Sequence, residues 1–325
     1  MPSALLEVEG LTVTFNVGRE GFWGQRRRRL TAVDDISFSI KRGETFGLVG
    51  ESGSGKTTTG RAILGKVPIA SGRVRFAGRD ITGMEGKERR SIRQNMQLIP
   101  QNPYGSLNPR MKVRDLVAEP LVVHQRFPSA RRATERVVEL LELTGMNPDD
   151  LYKYPHAFSG GQRQRIVIAR ALALNPDLII ADEPVSALDV SIQAQVVNLL
   201  QDLQRRLDLT YIFIAHDLAV VRHISHRIGI MYAGKLVEVA NGEDVYRTPI
   251  HPYTEALLSS VPIPDPRIER DRAAKVIPGE PPDPMQPPPG CRFHARCPLV
   301  QKRCIEEAPP LEVKKPEHQA ACWLR

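Results

Sequence analysis

The amino-acid sequence predicts an α/β fold with a mixed-sheet core, and three observations carry that reading. Residues 178–181 (Leu-Ile-Ile-Ala) and 211–215 (Tyr-Ile-Phe-Ile-Ala) are continuous apolar runs, as expected of strands with helices over both faces of a parallel sheet. Longer stretches with helical periodicity, 113–143 and 161–174, lie before them. A glycine-rich turn, Gly50-Glu51-Ser52-Gly53-Ser54-Gly55-Lys56-Thr57, separates a short apolar strand, 44–49, from a helical stretch running from Lys56 to about Leu64. That strand–loop–helix order is the one a phosphate-binding loop requires.

In chain order, Leu6, Val8, Leu11, Val13 and Phe15 alternate with polar residues, as do Val33, Ile36, Phe38 and Ile40, so 6–15 and 32–40 are strands. The polar, glycine-containing stretch 18–29 between them is expected to be a long hairpin loop. Two further strands, 72–77 and 96–100, flank the charged segment 87–93. In 113–143 an apolar face of Val137, Val138, Leu140, Leu141 and Leu143 opposes a wet face of Arg131, Arg132, Glu135 and Arg136. Another strand pair occupies 228–239. Composition then changes, with seven prolines in the thirteen residues 278–290, a stiff linker or a wrapping arm.

At 325 residues, 41% hydrophobic and 25% charged, the chain is an ordinary globular protein long enough for a large domain plus a smaller appendage. No run approaches the roughly 20 apolar residues that span a bilayer. The N-terminus has no basic segment leading into a long apolar one, so a cytoplasmic location is expected. The net charge of +8 includes Arg26–Arg29 and the pair Arg131-Arg132. These are read as solvated surface rather than as contacts to lipid or nucleic acid, since an anionic ligand already accounts for part of the excess.

The glycine-rich turn matches G-x-x-x-x-G-K-[ST]. Its glycines let backbone N–H groups and the following helix N-terminus face phosphates. Gly50, Ser52, Gly53, Ser54, Gly55, Lys56, Thr57 and Thr58 form the candidate cradle, Lys56 opposing the β- and γ-phosphates and Thr57 offering its hydroxyl to Mg²⁺. Asp182 and Glu183 end the apolar run 178–181, where ligands of open α/β sheets collect. Asp182 suits the Mg²⁺ shell, and Glu183 suits orienting or deprotonating an attacking water. A third pattern, Ser159-Gly160-Gly161-Gln162 before a helix, makes another anion-binding helix N-terminus.

Phe158-Ser159-Gly160-Gly161-Gln162-Arg163-Gln164-Arg165 resembles the signature motif of ABC ATPases, Leu-Ser-Gly-Gly-Gln, with Phe in place of Leu. The resemblance, over roughly residues 5–325, implies a P-loop NTPase of the ABC nucleotide-binding type: mixed-sheet core, antiparallel β-subdomain, helical insert at about 104–176, and a small Cys-containing C-terminal appendage. It implies that ATP is sandwiched in a head-to-tail dimer, the signature motif of one subunit completing the phosphate loop of the other. Gln101 is then the glutamine that meets Mg²⁺ and water, Ser186-Ala187-Leu188-Asp189 the loop that crosses the dimer interface, and His216 the histidine at the γ-phosphate. Phe15 matches the aromatic residue that stacks on adenine, with Phe22 and Trp23 as competitors.

Within that family, Pro103-Tyr104-Gly105-Ser106-Leu107-Asn108-Pro109-Arg110, His251-Pro252-Tyr253-Thr254 and the cysteine region resemble the oligopeptide and dipeptide importers. The implied organisation is a nucleotide-binding domain over 1–255 and an oligopeptide-transporter-type domain over 256–325. The implied function is ATP hydrolysis that powers peptide import at the cytoplasmic face of the cell membrane. The implied partners are a second ABC ATPase, preferably a non-identical homologue, two transmembrane permease subunits and, indirectly, an extracytoplasmic peptide-binding protein. Import of a non-peptide solute such as nickel is an alternative. A soluble ABC ATPase acting on nucleic acid or ribosomes is a weaker one, because the chain has one cassette and no coiled-coil heptads. A small-molecule kinase leaves Ser159–Gln162 unexplained.

All four cysteines, Cys291, Cys297, Cys304 and Cys322, fall in the last 35 residues. Four clustered thiols in a reducing compartment suggest zinc, an iron–sulfur cluster or free thiols. Similar tails in peptide-importer ATPases make a [4Fe–4S] cluster the candidate that the resemblance implies.

Overall fold

The computed structural model describes residues 4–20, 26–126, 129–260 and 279–325. The chain begins with β1 (Ala4–Glu20), β2 (Arg26–Lys41), β3 (Thr45–Val49), α1 (Lys56–Ile63), β4 (Ser71–Phe76), β5 (Arg79–Asp80), α2 (Gly86–Asn95) and β6 (Met96–Ile99). It continues with α3 (Pro103–Ser106), α4 (Val113–Val123), α5 (Ala130–Leu143), α6 (Gly160–Leu172), β7 (Leu178–Asp182), α7 (Val190–Leu207) and β8 (Thr210–Ala215). The last elements are α8 (Leu218–Ile224), β9 (Arg227–Tyr232), β10 (Lys235–Asn241), α9 (Gly242–Arg247), α10 (Pro252–Ser259), α11 (Lys302–Glu306), β11 (Glu312–Lys315) and β12 (His318–Ala320).

These elements form two compact units. One comprises Lys41–Thr45 and Gly83–Ile214, the other Ala4–Ile40, Phe46–Thr82 and Ala215–Arg325. In the first, β8, β7 and β6 are neighbours. β7 pairs parallel with both others, Leu178 facing Met96 and Thr210. Every residue of β7 and β8 is buried, which is why their apolar runs are continuous rather than alternating. Helices α4, α5 and α6 bury Leu116, Val117, Leu140, Leu141, Ile166 and Val167, while Arg131 and Glu135 pair on the exposed face of α5.

The expected single helix over 113–143 is two. Gln125, in the left-handed region with φ 50, closes α4, and Ser129 restarts the chain by accepting from Arg132 N–H at 3.4 Å to cap α5. No described helix is long and apolar enough to cross a membrane.

In the second unit one sheet has the order β2-β1-β4-β5, and another run has the order β11-β12-β10-β9-β3. The alternation in β1 buries Leu6, Val8, Leu11 and Val13. The strands reach further into the expected loop 18–29 than their apolar pattern: β1 continues to Glu20 and β2 starts at Arg26. Phe22, Trp23, Pro278 and the side chains of Arg26, Arg27 and Arg28 lie outside the described residues. The two strands expected on either side of 87–93 belong to different sheets, β4 pairing with β1 and β6 with β7. The charged segment between them is helix α2. β3 and β9 are parallel, Val49 opposite Ile230, and this leaves the glycine-rich turn at the carboxyl end of β3.

Candidate nucleotide-hydrolysis site

The phosphate loop leaves β3 at Val49 and enters α1 at Lys56. Gly55, the N-cap, sits at φ 104, a conformation that an L side chain strains to adopt. A Cβ at Gly50 or at Gly55 would also collide with a main-chain oxygen, Met231 O in the first case and Ala32 O in the second. Both glycines are therefore dictated by backbone packing. Lys56 is 4% exposed. Its Nζ donates to the carbonyls of Gly50 (2.7 Å) and Glu51 (2.8 Å) and to Ser54 Oγ (3.4 Å). The ammonium is thereby held against the loop that it serves. Thr57 and Thr58 follow in the first turn of α1. Phe15 stands half-buried in β1, and His216 is exposed just beyond β8.

In the other unit, parallel β6 and β7 deliver Gln101 and Glu183 just beyond their carboxyl ends. Gln101 Nε2 donates to Glu183 Oε2 at 2.9 Å. Asp182, 6% exposed, is the last residue of β7. Glu183 has φ 46, a left-handed conformation that costs a non-glycine residue on the order of 1–3 kcal/mol and persists only where the surroundings enforce it. They do: its N–H donates to Ile214 O at 2.9 Å. Its carbonyl accepts from Ser186 N at 3.3 Å and from Ser186 Oγ at 3.1 Å. The carboxyl group is thus aimed by its backbone and steadied by the Gln101 amide.

Ser159 caps α6 by a reciprocal capping box. Its Oγ accepts from Gln162 N at 3.4 Å, and its N–H donates to Gln162 Oε1 at 3.0 Å. The two glycines have separate packing reasons. A Cβ at Gly161 would stand 2.6 Å from Ile192 Cγ2 of α7, and one at Gly160 would stand 3.3 Å from Leu188 Cδ2. Leu188 belongs to the 186–189 loop, whose Asp189 is exposed at the N-cap of α7. The segment after Gln101 is tied to the same helix. Arg163 stacks its guanidinium 4.1 Å over Tyr104, and Arg170 Nη1 donates to Ser106 O at 2.7 Å. Ser159, Gly160, Gly161, Gln162, Leu188 and the turn after Gln101 therefore form one connected constellation around α6.

The four cysteines converge in the fold. Cys291, Cys297, Cys304 and Cys322 all line one cavity of about 10 Å³, together with His251, Phe293 and Trp323. Burial pushes the Cys291 thiol up to about 11 and raises that of Cys297. Among the described residues no three His, Cys, Asp or Glu side chains stand close enough to hold a metal ion. Four converging thiols are the donor set of a tetrathiolate site.

Residues 33–186 match the ABC transporter family, and residues 237–304 match the oligopeptide/dipeptide transporter C-terminal region. The chain is 49% identical over 320 residues to the putative oligopeptide transport ATP-binding protein YkfD of Bacillus subtilis, covering 98% of this chain and 95% of that one. The chain belongs to the oligopeptide-transport class of ABC ATP-binding proteins. It is also 51% identical over 310 residues to the oligopeptide transport ATP-binding protein OppF of Salmonella typhimurium, covering 95% and 92% of the two chains. Among solved structures it resembles the dimeric, ADP- and Pi-bound post-hydrolysis state of the ATP-binding cassette MJ0796. That match has a TM-score of 0.64 and 28% identity, and covers 73% of this chain and 98% of the other. As an ABC ATPase the chain is an ATP-hydrolysing enzyme, and Gln101, Glu183, Lys56 and Ser159 all lie within the residues that match the ABC transporter family.

Proposed function

We propose that this ABC ATPase energises import of oligopeptides or dipeptides through a separate transmembrane permease, working from the cytoplasmic face of the membrane. The geometric observation that carries hydrolysis is the Gln101–Glu183 hydrogen bond at the end of a buried parallel strand. The peptide class rests on near-full-length similarity to oligopeptide transport proteins, including the C-terminal region over 237–304. Organisation into 1–255 and 256–325, with a helical subdomain at about 104–176, belongs to the same proposal.

The mechanism follows from what each group can do. Lys56 and the loop amides bind the triphosphate, and Phe15 stacks on the base. Thr57, Gln101 and Asp182 would hold Mg²⁺, which would supply neutralisation of the charge on the triphosphate. Glu183 takes the proton of the water that attacks the γ-phosphorus, the bond to the β–γ bridging oxygen breaks, and ADP and phosphate leave. His216 contacts the γ-phosphate. Ser159, Gly160, Gly161, Gln162 and Asp189 act across the dimer, capping the nucleotide of a second ATPase, by preference a non-identical homologue. Closure is passed to two permease subunits through the turn after Gln101, whose contacts with Arg163 and Arg170 of α6 suit it to that task. A peptide-binding protein outside the cell delivers the cargo, and nucleic acid has no role. The four cysteines would be the ligands of a [4Fe–4S] cluster, and no step of hydrolysis uses it.

Glu183→Gln is the direct test. Assembled with its partner ATPase, the variant is expected to bind ATP, to lose hydrolysis and to accumulate as an ATP-dependent dimer in sedimentation. Wild-type hydrolysis by that variant would refute the role of Glu183.

A further inference from the structure

Glu51 is the second residue of the phosphate loop, and nothing in the hydrolysis mechanism uses it. All three of its polar groups are nevertheless taken. Its carbonyl accepts from Lys56 Nζ at 2.8 Å. Its N–H donates to Tyr253 Oη at 3.0 Å. Its carboxylate receives Arg296 Nη1 at 3.0 Å and 3.2 Å on the two oxygens.

Tyr253 and Arg296 both come from the C-terminal region, 202 and 245 positions away in sequence. Each is itself built in. Tyr253 is fully buried in α10 and packs on Tyr232 and Phe293, with ring centroids 4.6 and 5.5 Å away. Arg296 is 9% exposed, and its Nη1 also donates to Tyr232 Oη at 3.2 Å. A second arginine of the same segment, Arg292, binds Asp34 and the carbonyl of Ala233, anchoring the segment independently of the loop. An exposed surface pair has a long lysine or arginine free to leave. This one is fixed at its root by the aromatic cluster.

From this geometry we infer that Arg296 and Tyr253 are positioning residues of the phosphate loop, and that Arg296 sets ATP affinity by neutralising Glu51. A carboxylate in a loop that must receive a triphosphate repels the ligand unless it is compensated, because like charges interact strongly inside a Debye length of about 8 Å. Arg296 supplies the compensation without touching the nucleotide, and Tyr253 fixes the peptide that carries the carboxylate. The C-terminal region that marks the peptide-transport class is therefore part of the nucleotide-binding machinery. The inference rests on the assignment of residues 50–57 as the phosphate loop.

The test uses the full-length chain and ATP titrations in parallel with steady-state hydrolysis. Arg296→Gln keeps most of the stem and a donor for Tyr232 but removes the charge. It is expected to raise the ATP dissociation constant and KM about tenfold while kcat changes by less than about twofold. Glu51→Gln combined with Arg296→Gln removes the uncompensated carboxylate, and affinity is expected to return to within about threefold of wild type. A role confined to holding the fold predicts instead that the double variant is at least as weak as the single one, and that result overturns the inference. So does an unchanged dissociation constant in Arg296→Gln. If Arg296→Gln does not fold, Arg296→Lys decides the matter: a dissociation constant within about threefold of wild type supports charge neutralisation, and a tenfold loss contradicts it. Failure of the phosphate-loop assignment would look different, as absence of ATP binding to the wild-type chain.

Discussion

Gly161→Ala places one methyl group between the signature helix and its neighbour, and the structure gives its consequence. The new Cβ would lie 2.6 Å from Ile192 Cγ2, whereas carbon atoms pack at about 3.5–4.0 Å. Roughly 1 Å of separation must therefore be opened between α6 and α7. Overpacking of this kind costs about 1–3 kcal/mol, and a displacement of about 1 Å at a reacting site can cost on the order of a hundredfold in rate. Because α6 also carries the Arg163–Tyr104 and Arg170–Ser106 links to the turn after Gln101, the strain reaches that turn as well as the Ser159 cap. The variant should have a lower urea midpoint and an ATPase rate lowered about ten- to a hundredfold in a coupled phosphate-release assay. Ile192→Ala removes the opposing methyl, so the double variant should regain much of both losses. A Gly161→Ala protein with wild-type midpoint and rate, or a double variant worse than the sum of the two singles, would refute the steric account.

Gln101→Ala deletes the amide that donates to Glu183; a hydrogen bond to a charged group contributes about 1.5–3 kcal/mol, so kcat should fall about ten- to a hundredfold, and an unaltered rate would remove Gln101 from the mechanism. His251, buried as the N-cap of α10, accepts from Tyr253 N–H at 3.1 Å on Nδ1 and is therefore neutral. Burial lowers its pKa from 6.5 to about 4. The unfolded chain then binds the proton more readily between these values, and stability should fall as pH drops from 6.5 towards 4, by roughly 3 kcal/mol at 1.36 kcal/mol per pH unit. His251→Asn keeps an acceptor for the cap and should flatten that limb in urea titrations; an identical pH dependence in the variant would contradict the assignment. Convergence of the four thiols on one cavity predicts iron–sulfur absorbance and bound iron in anaerobically purified chain, and a chain free of iron would show that the thiols hold no cluster.

The parts of the site that could be read from sequence are those whose physics is local. The phosphate loop and the Ser159 cap are patterns of glycine, serine and lysine within eight or fewer consecutive residues, and their backbone demands come with them. The buried runs that became β7 and β8 declared themselves because both faces are covered. Helix α7 did not: its buried stripe is Val196, Val197, Leu200 and Leu203, but Val190 at its start is 81% exposed and Leu207 at its end 41% exposed, which blurs the periodicity. Charge hid α2, where only Arg89 and Ile92 are buried. The grip of Tyr253 and Arg296 on Glu51 depends on contacts across 202 and 245 positions, and no local pattern carries such information. Cysteine spacing likewise gave four thiols in one region without saying that all would line a single cavity.

The central claim is that a nucleotide held by Lys56 is capped by the signature serine of a partner, while Ser159 serves the partner's nucleotide in return. A structure of the Glu183→Gln protein assembled with its partner ATPase and ATP tests this most directly. The account predicts a triphosphate with Lys56 on one side and a signature serine from the opposite protomer on the other. A nucleotide whose γ-phosphate meets Lys56 with no signature motif from a second subunit within hydrogen-bonding reach would contradict it.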